Sequence, residues 1–227
     1  MKVNLLSKNN TNIAYKAKTL DLYRDFLPQN QHNRASELYA IEEALKILEN
    51  IKFPQADIEK TNGIISNLAF KDGAEAVSFL KKENIPIIFA KFDRDDIHAQ
   101  WQHNRHVIAI NEKYKNTRNI SEIQAISAAI LHELAHAKDN DFHNSIQEEL
   151  DCLAMNALAY RAIKKGNPAS IEASSAPIIQ DGVELYSKLF FQEDKKGLIE
   201  RVRSKYGNLP LESPNHKAQK IAEKIKK

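Results

Sequence analysis

The segment that begins at Ser121 most constrains how this 227-residue chain can fold, because its apolar residues recur with helical periodicity. Four of them are spaced three or four positions apart and therefore share one face of a helix: Ile123, Ile126, Ile130 and Leu134. Ser121 and Gln124 form a capping box that is predicted to begin this helix. The chain also has only 6 Gly and 7 Pro, which argues against a loop-rich, all-β architecture.

Two short runs of β-branched and aromatic residues in the middle of the chain, 85–92 and 106–110, predict strands of a small sheet. Helical patterns precede them, opening near Ser36, around 58–68 and after the N-cap candidate Asp72. A second capping box, Ser145 with Glu148, is predicted to open the helix that follows the Ser121 segment. The expected fold class is α+β.

We divide the chain into three regions that together are expected to form one compact unit. Residues 1–84 are predicted to be mainly helical after an irregular arm of about 33 residues. Residues 85–164 form the predicted core, and residues 165–227 are expected to contain a loop, at 167–180, and helices. The predicted C-terminal helices are 178–192, 195–206 and 214–226.

Composition excludes several classes of protein. The chain has 33 basic and 30 acidic residues, so no nucleic-acid partner is expected on charge alone. A single cysteine, Cys152, excludes an internal disulfide and a cysteine-based zinc finger. Apolar runs are too short for a membrane span, and the first residues do not resemble a signal peptide. We therefore expect a cytoplasmic protein, or one that is secreted without a cleavable signal.

The sequence His132-Glu133-Leu134-Ala135-His136 is the strongest candidate for a functional site. Residues four apart lie above one another on a helix, so both imidazoles can bind one metal ion. Zn²⁺ is the expected metal because it accepts imidazole and carboxylate ligands in a tetrahedral set. Glu133 is the expected general base. The simpler alternative is that two ordinary histidines lie on a solvated helix face.

This motif resembles that of the zincin metallopeptidases. The metzincin branch places a third histidine where this chain has Phe142, so that branch does not fit. The gluzincin branch takes a glutamate from the next helix, commonly with a small residue three positions later. Glu149 with Cys152 matches this pattern and is the expected third ligand. Glu148 is the alternative, although the capping box also explains it, and Asp151 and Asp139 rank behind.

The resemblance covers residues 85–164. This part of the chain is similar to minigluzincins and to the catalytic domains of lethal-factor-like toxins. It implies a zinc metallopeptidase that acts on a peptide or protein substrate. The main alternative is a regulatory or interaction protein of the zincin fold with a structural metal. A third hypothesis is a basic helical adaptor in which the motif is fortuitous.

The resemblance also suggests how the substrate binds. The strand before the active-site helix would pair with a peptide through the backbones of Ile108, Ala109 and Ile110, unless it is an ordinary core strand. Four residues are candidates for stabilising the oxyanion: His103, His106, Tyr114 and Tyr160.

Overall fold

A computed structural model describes residues 34–139, 143–166, 178–191 and 195–213 of the chain. These residues form a mixed α+β structure that is mostly helical and contains one small sheet, which confirms the predicted fold class. The elements, in chain order, are α1 (Arg34–Glu49), α2 (Gln55–Thr61), α3 (Gly73–Lys82), β1 (Ile87–Ala90), β2 (Ala99–Gln102), β3 (Val107–Asn111), α4 (Ile120–Asp139), α5 (Ile146–Gly166), α6 (Glu184–Phe191) and α7 (Lys195–Lys205). A π-helical turn, Ile178–Val183, precedes α6.

The sheet has the strand order β1-β3-β2, so the last strand in sequence is the central one. It runs parallel to β1, with Ile87 opposite Ile108, and antiparallel to β2, with Trp101 opposite Ile108. All five residues of β3 are buried, as the apolar composition of Val107–Asn111 predicts. One long edge of β2 is left without a neighbouring strand in the described structure.

Helix α4 lies at the centre of the molecule. Every side chain from Ile123 to Ala137 is buried, because α1, α5 and the sheet cover the helix from different sides. A helix that is buried all round needs small or apolar residues on every face. The alanines of this segment meet that need beside the isoleucine stripe, and they allow α5 to pack closely.

The helix starts agree in part with the predicted caps. Asp72 caps α3 as predicted, since its carboxylate accepts the backbone N–H of Glu75 at 2.8 Å. Ser145 caps α5, with its hydroxyl accepting the N–H of Glu148 at 3.1 Å. The predicted cap of α4 is wrong by two residues, because the Asn119 side chain accepts the N–H of Ser121 at 2.9 Å.

The predicted helix at 58–68 is also wrong beyond its first turn. Helix α2 ends at Thr61, and Gly63 then adopts a φ of 77°, a left-handed conformation that ends a helix. The backbone N–H and hydroxyl of Ser66 donate to the Asp151 carboxylate at 2.8 and 2.6 Å. These bonds to α5 hold the segment in an irregular conformation.

Several predictions concern residues that the structure leaves undescribed or only partly describes. The arm before residue 34, most of the 167–180 loop and the helix at 214–226 lie outside the described residues. Helices predicted at 178–192 and 195–206 correspond to the π-helical turn with α6, and to α7. In the part of the chain that is described, none of the helices combines the length and apolar character that a membrane crossing needs.

Gly73 is required where α3 begins against the end of α1. A Cβ atom at this position would lie 1.8 Å from the carbonyl oxygen of Leu48, which is a backbone atom. We expect Gly73→Ala to lower the free energy of unfolding by about 3 kcal/mol, because the two helices must separate. Urea unfolding measures this. Gly166→Ala is the matched control, since among the described residues no atom beyond its own helix backbone and chain neighbours lies within 4 Å of its added Cβ, and a comparable loss in both variants would contradict the explanation.

Candidate metal centre

His132 and His136 face one another across a short gap on α4. Their Nε2 atoms are 3.2 Å apart and both side chains are buried. Two ligands held at about 2.05 Å by a tetrahedral zinc ion would be separated by about 3.3 Å. The observed separation therefore matches one edge of a zinc coordination tetrahedron.

Glu149 completes a three-sided arrangement from the first turn of α5. Its Oε2 lies 3.8 Å from the Nε2 of His132, and its Oε1 lies 3.6 Å from the Nε2 of His136. The carboxylate is buried, and among the described residues its Oε2 has no hydrogen-bond partner. A buried carboxylate oxygen without a donor is costly, and a cation between it and the imidazoles would satisfy it.

Glu148, the alternative third ligand, contacts His136 on the other nitrogen of its ring, Nδ1. Its Oε1 lies 2.7 Å from the Nδ1 of His136. This contact fixes the ring of His136 with its Nε2 directed towards Glu149 and His132, as outer partners of metal-binding histidines do. Only half of the predicted capping box forms, because the Glu148 side chain turns to His136 and not to the backbone of Ser145.

The protonation of the two histidines differs. Burial, with the positive charge of His136, lowers the pKa of His132 well below its usual range, so its imidazole is neutral. Burial also opposes the charge on His136, but contacts with Cys152 and Glu148 outweigh it and raise its pKa well above the usual range. His136 thus donates its second proton to His132, and a metal cation would take the place of that proton.

Glu133 lies between the two histidines and strand β2. Its Oε2 accepts the backbone N–H of Trp101 at 2.6 Å. Burial raises the pKa of Glu133 to about 7, and the positive charge of His136 and the Trp101 hydrogen bond partly oppose this. A carboxylate with a pKa near neutrality suits proton transfer in both directions. A divalent cation beside the imidazoles would lower this pKa again.

Cys152 is buried one turn after Glu148. His136, Glu148 and Cys152 place one ligand atom each within 4.8 Å of one another, as do His132, Glu133 and His136. Buried groups of histidine, glutamate and cysteine that could hold a metal ion are therefore present. Burial raises the pKa of Cys152 to about 12, so its sulfur is a neutral thiol that packs against the site.

The candidate metal centre opens into a cleft of about 460 Å³. Its walls come from β2, α4, α5, the π-helical turn and the end of α7. Burial raises the pKa of Glu149, and the positive charge of His136 and the nearby Tyr206 partly oppose this. Neither Tyr206 nor its neighbour Lys205 carries a sequence signal that links it to Glu149, more than fifty residues earlier.

The four candidates for the oxyanion-stabilising residue lie in different places. His103 lines the cleft, whereas the other three are not among its lining residues. The Tyr114 hydroxyl bonds to the Nδ1 of His98 at 2.7 Å, His106 packs edge-on against Trp101, and Tyr160 is buried in the core.

The prediction that Ile108, Ala109 and Ile110 bind substrate through their backbone is wrong. These residues belong to β3, which pairs with β1 on one side and β2 on the other. Both sets of backbone hydrogen-bonding groups are therefore used within the sheet. The strand edge that lines the cleft belongs to β2, through Ala99, Gln100 and Trp101.

Comparison of the chain with protein-family models, with curated proteins and with solved structures finds no match. The assignment of function therefore rests on the chemistry of the metal centre and its cleft.

Proposed function

We propose that this protein is a zinc-dependent metallopeptidase of the gluzincin type, with His132, His136 and Glu149 as zinc ligands and Glu133 as general base. The observation that carries the proposal is the convergence of two Nε2 atoms, 3.2 Å apart, with a buried carboxylate 3.6 and 3.8 Å from them. The succession of sheet, α4 and α5 is the order expected of a zincin core.

The chemical nature of the three side chains fits zinc, which prefers imidazole and carboxylate ligands and keeps a fourth position open in enzymes. A zinc ion held there would supply a Lewis acid that polarises the peptide carbonyl and makes water more acidic. Glu133 receives the proton of the attacking water and returns it to the nitrogen of the leaving amine as the C–N bond breaks. The Trp101 N–H holds one oxygen of Glu133 and leaves the other to carry the proton.

The peptide would bind along the outer edge of β2. Because the N–H of Asn111 donates to the carbonyl of His98, the alternate residues Ala99 and Trp101 direct their backbone groups away from β3. The Trp101 N–H already bonds to Glu133. The N–H and C=O of Ala99 and the C=O of Trp101 are then the groups that pair with an extended substrate.

Tyr206 is the residue that we assign to the developing oxyanion. Tyr206 lines the same cleft as Glu149, His132 and Glu133. Burial, with the nearby charge of Glu149, raises the pKa of Tyr206, so it keeps its proton and can donate it in a hydrogen bond.

The number of protein ligands would distinguish a catalytic zinc ion from a structural one. A structural zinc site has four protein ligands. Of the other two buried carboxylates, Glu148 contacts the Nδ1 of His136 and not its Nε2, and Glu133 holds the Trp101 N–H with one oxygen. This arrangement supports an open position for water and substrate.

Metal removal tests the proposal. We expect about one zinc per chain by plasma mass spectrometry, and hydrolysis of a quenched-fluorescent peptide library that stops with a chelator and returns on addition of zinc. His132→Ala should bind no zinc and cleave no peptide. Hydrolysis that continues in chelated protein, or a folded wild-type chain that takes up no zinc, would overturn the proposal.

A further inference from the structure

A second cavity of about 510 Å³ adjoins the cleft that contains the candidate metal centre, which we call the metal cleft. The two share a wall of five residues: Asp96, His98, Gly182, Tyr186 and Lys205. A ligand that lies in the metal cleft can therefore extend directly into the second cavity.

Positive charge dominates the lining of this second cavity. Three cations, Lys113, Arg201 and Lys205, face two carboxylates, Asp95 and Asp96. Asp96 is already bound to Arg94, whose Nε donates to it at 2.9 Å. The cavity thus has more positive charge than its own acidic residues neutralise.

Two of the cations lie beside aromatic residues. Arg201 is close enough to Tyr186 for its charge to oppose the rise that burial causes in the Tyr186 pKa, and the Lys205 ammonium lies 5.8 Å from the Tyr186 ring and 5.1 Å from the Tyr206 ring. In the described part of the chain neither Arg201 nor Lys205 forms an ion pair with a carboxylate. Arg201 is therefore available to an anionic ligand, whereas Lys205 is also attracted by the charges of Glu149, Asp96 and Glu133.

We propose that this second cavity binds a carboxylate of the peptide whose scissile bond lies at the metal centre. The inference rests on the proposed peptidase function and adds its substrate class. The carboxylate belongs either to an acidic side chain or to the C-terminus of the peptide, since both present the same group to Arg201 and Lys205.

The position of the second cavity relative to β2 supports this inference. Asp95, Asp96 and His98 immediately precede Ala99, so the cavity lies at the N-terminal end of the strand. Glu133 bonds to Trp101, further along the same strand. An extended peptide advances about 3.3 Å per residue, so a chain paired with β2 carries its carboxylate to the cavity within a few residues of the scissile bond.

Matched peptides test the inference. One cleaved sequence is made with Glu, Gln or Lys at each position near the scissile bond, each as the free acid and as the C-terminal amide. We expect kcat/KM for one Glu peptide, or for the free acids as a group, to exceed that of its neutral counterpart about five- to tenfold, as for a partly exposed ion pair. A higher kcat/KM with Glu at one position identifies an acidic side chain as the bound carboxylate. A lower kcat/KM on C-terminal amidation identifies the C-terminus.

Arg201→Glu is the informative variant. We expect it to abolish the preference for the carboxylate and to favour the Lys peptide. Arg203→Glu is the matched control, because it makes the same charge change on the same helix at an exposed position that does not line the second cavity. Equal effects of the two variants, or equal cleavage of all peptides by the wild type, would overturn the carboxylate site and leave the peptidase proposal standing.

Failure of the peptidase proposal itself is recognised separately. If no peptide is cleaved, the same set is tested for binding by fluorescence anisotropy with wild-type and Arg201→Glu proteins. Tighter binding of carboxylate peptides that depends on Arg201 would support the site without hydrolysis. Equal binding of all peptides would overturn it.

Discussion

Glu133→Gln is expected to lower kcat about 1000-fold while zinc stays bound, since a missing general base costs on the order of 10²–10⁴ in rate. Gln has the size of Glu and keeps an oxygen that can accept the Trp101 N–H. It cannot take the proton of the attacking water. The change therefore removes proton transfer and preserves the packing between α4 and β2.

The measurement is kcat for a cleaved peptide, with zinc content determined on the same preparation. Glu122→Gln is the control, because it makes the same substitution on α4 at a residue outside the cleft lining. It should retain wild-type kcat. Wild-type turnover in Glu133→Gln would show that another group takes the proton, and loss of zinc in this variant would make Glu133 a ligand.

The parts of the fold that follow from local sequence were predictable. The isoleucine stripe and the spacing of His132 and His136 depend on helical geometry alone, and α4 has that geometry. Strand β3 agrees with its run of β-branched residues. Strand β2 was missed because Ala99–Gln102 is polar, with only Trp101 buried. Strand β2 is held by its pairing with β3 and by the hydrogen bond from the Trp101 N–H to Glu133.

The contacts in the candidate site that depend on packing between distant segments do not follow from local sequence. Glu148 and Glu149 are adjacent, and only the packing of α5 on α4 directs one to each side of His136. The capping box predicts that the Glu148 side chain bonds to the backbone of Ser145. It contacts His136 instead, because the buried imidazole is the stronger partner for a carboxylate. Tyr206 reaches the centre through the docking of α7, which no local pattern encodes.

Substitution of the adjacent glutamates of α5, Glu148 and Glu149, is expected to cause the second large effect, a loss of zinc affinity. We expect Glu148→Gln to weaken zinc binding by about 10- to 100-fold, the usual cost of losing an outer partner of a metal-bound histidine. We expect Glu149→Gln to weaken it by well over that factor, because a charged ligand is lost. Competition with a chromophoric chelator measures both affinities on folded protein.

The two variants can be compared directly because both residues lie in the first turn of α5, both are buried, and both are changed from Glu to Gln. A general disturbance of α5 would weaken zinc binding equally in both variants, whereas a ligand and its outer partner differ. Adjacent residues point about 100° apart around a helix. If Glu148→Gln had the larger effect, the first turn of α5 would have to rotate by that angle on metal binding, and Glu149 would lose its place beside the two imidazoles.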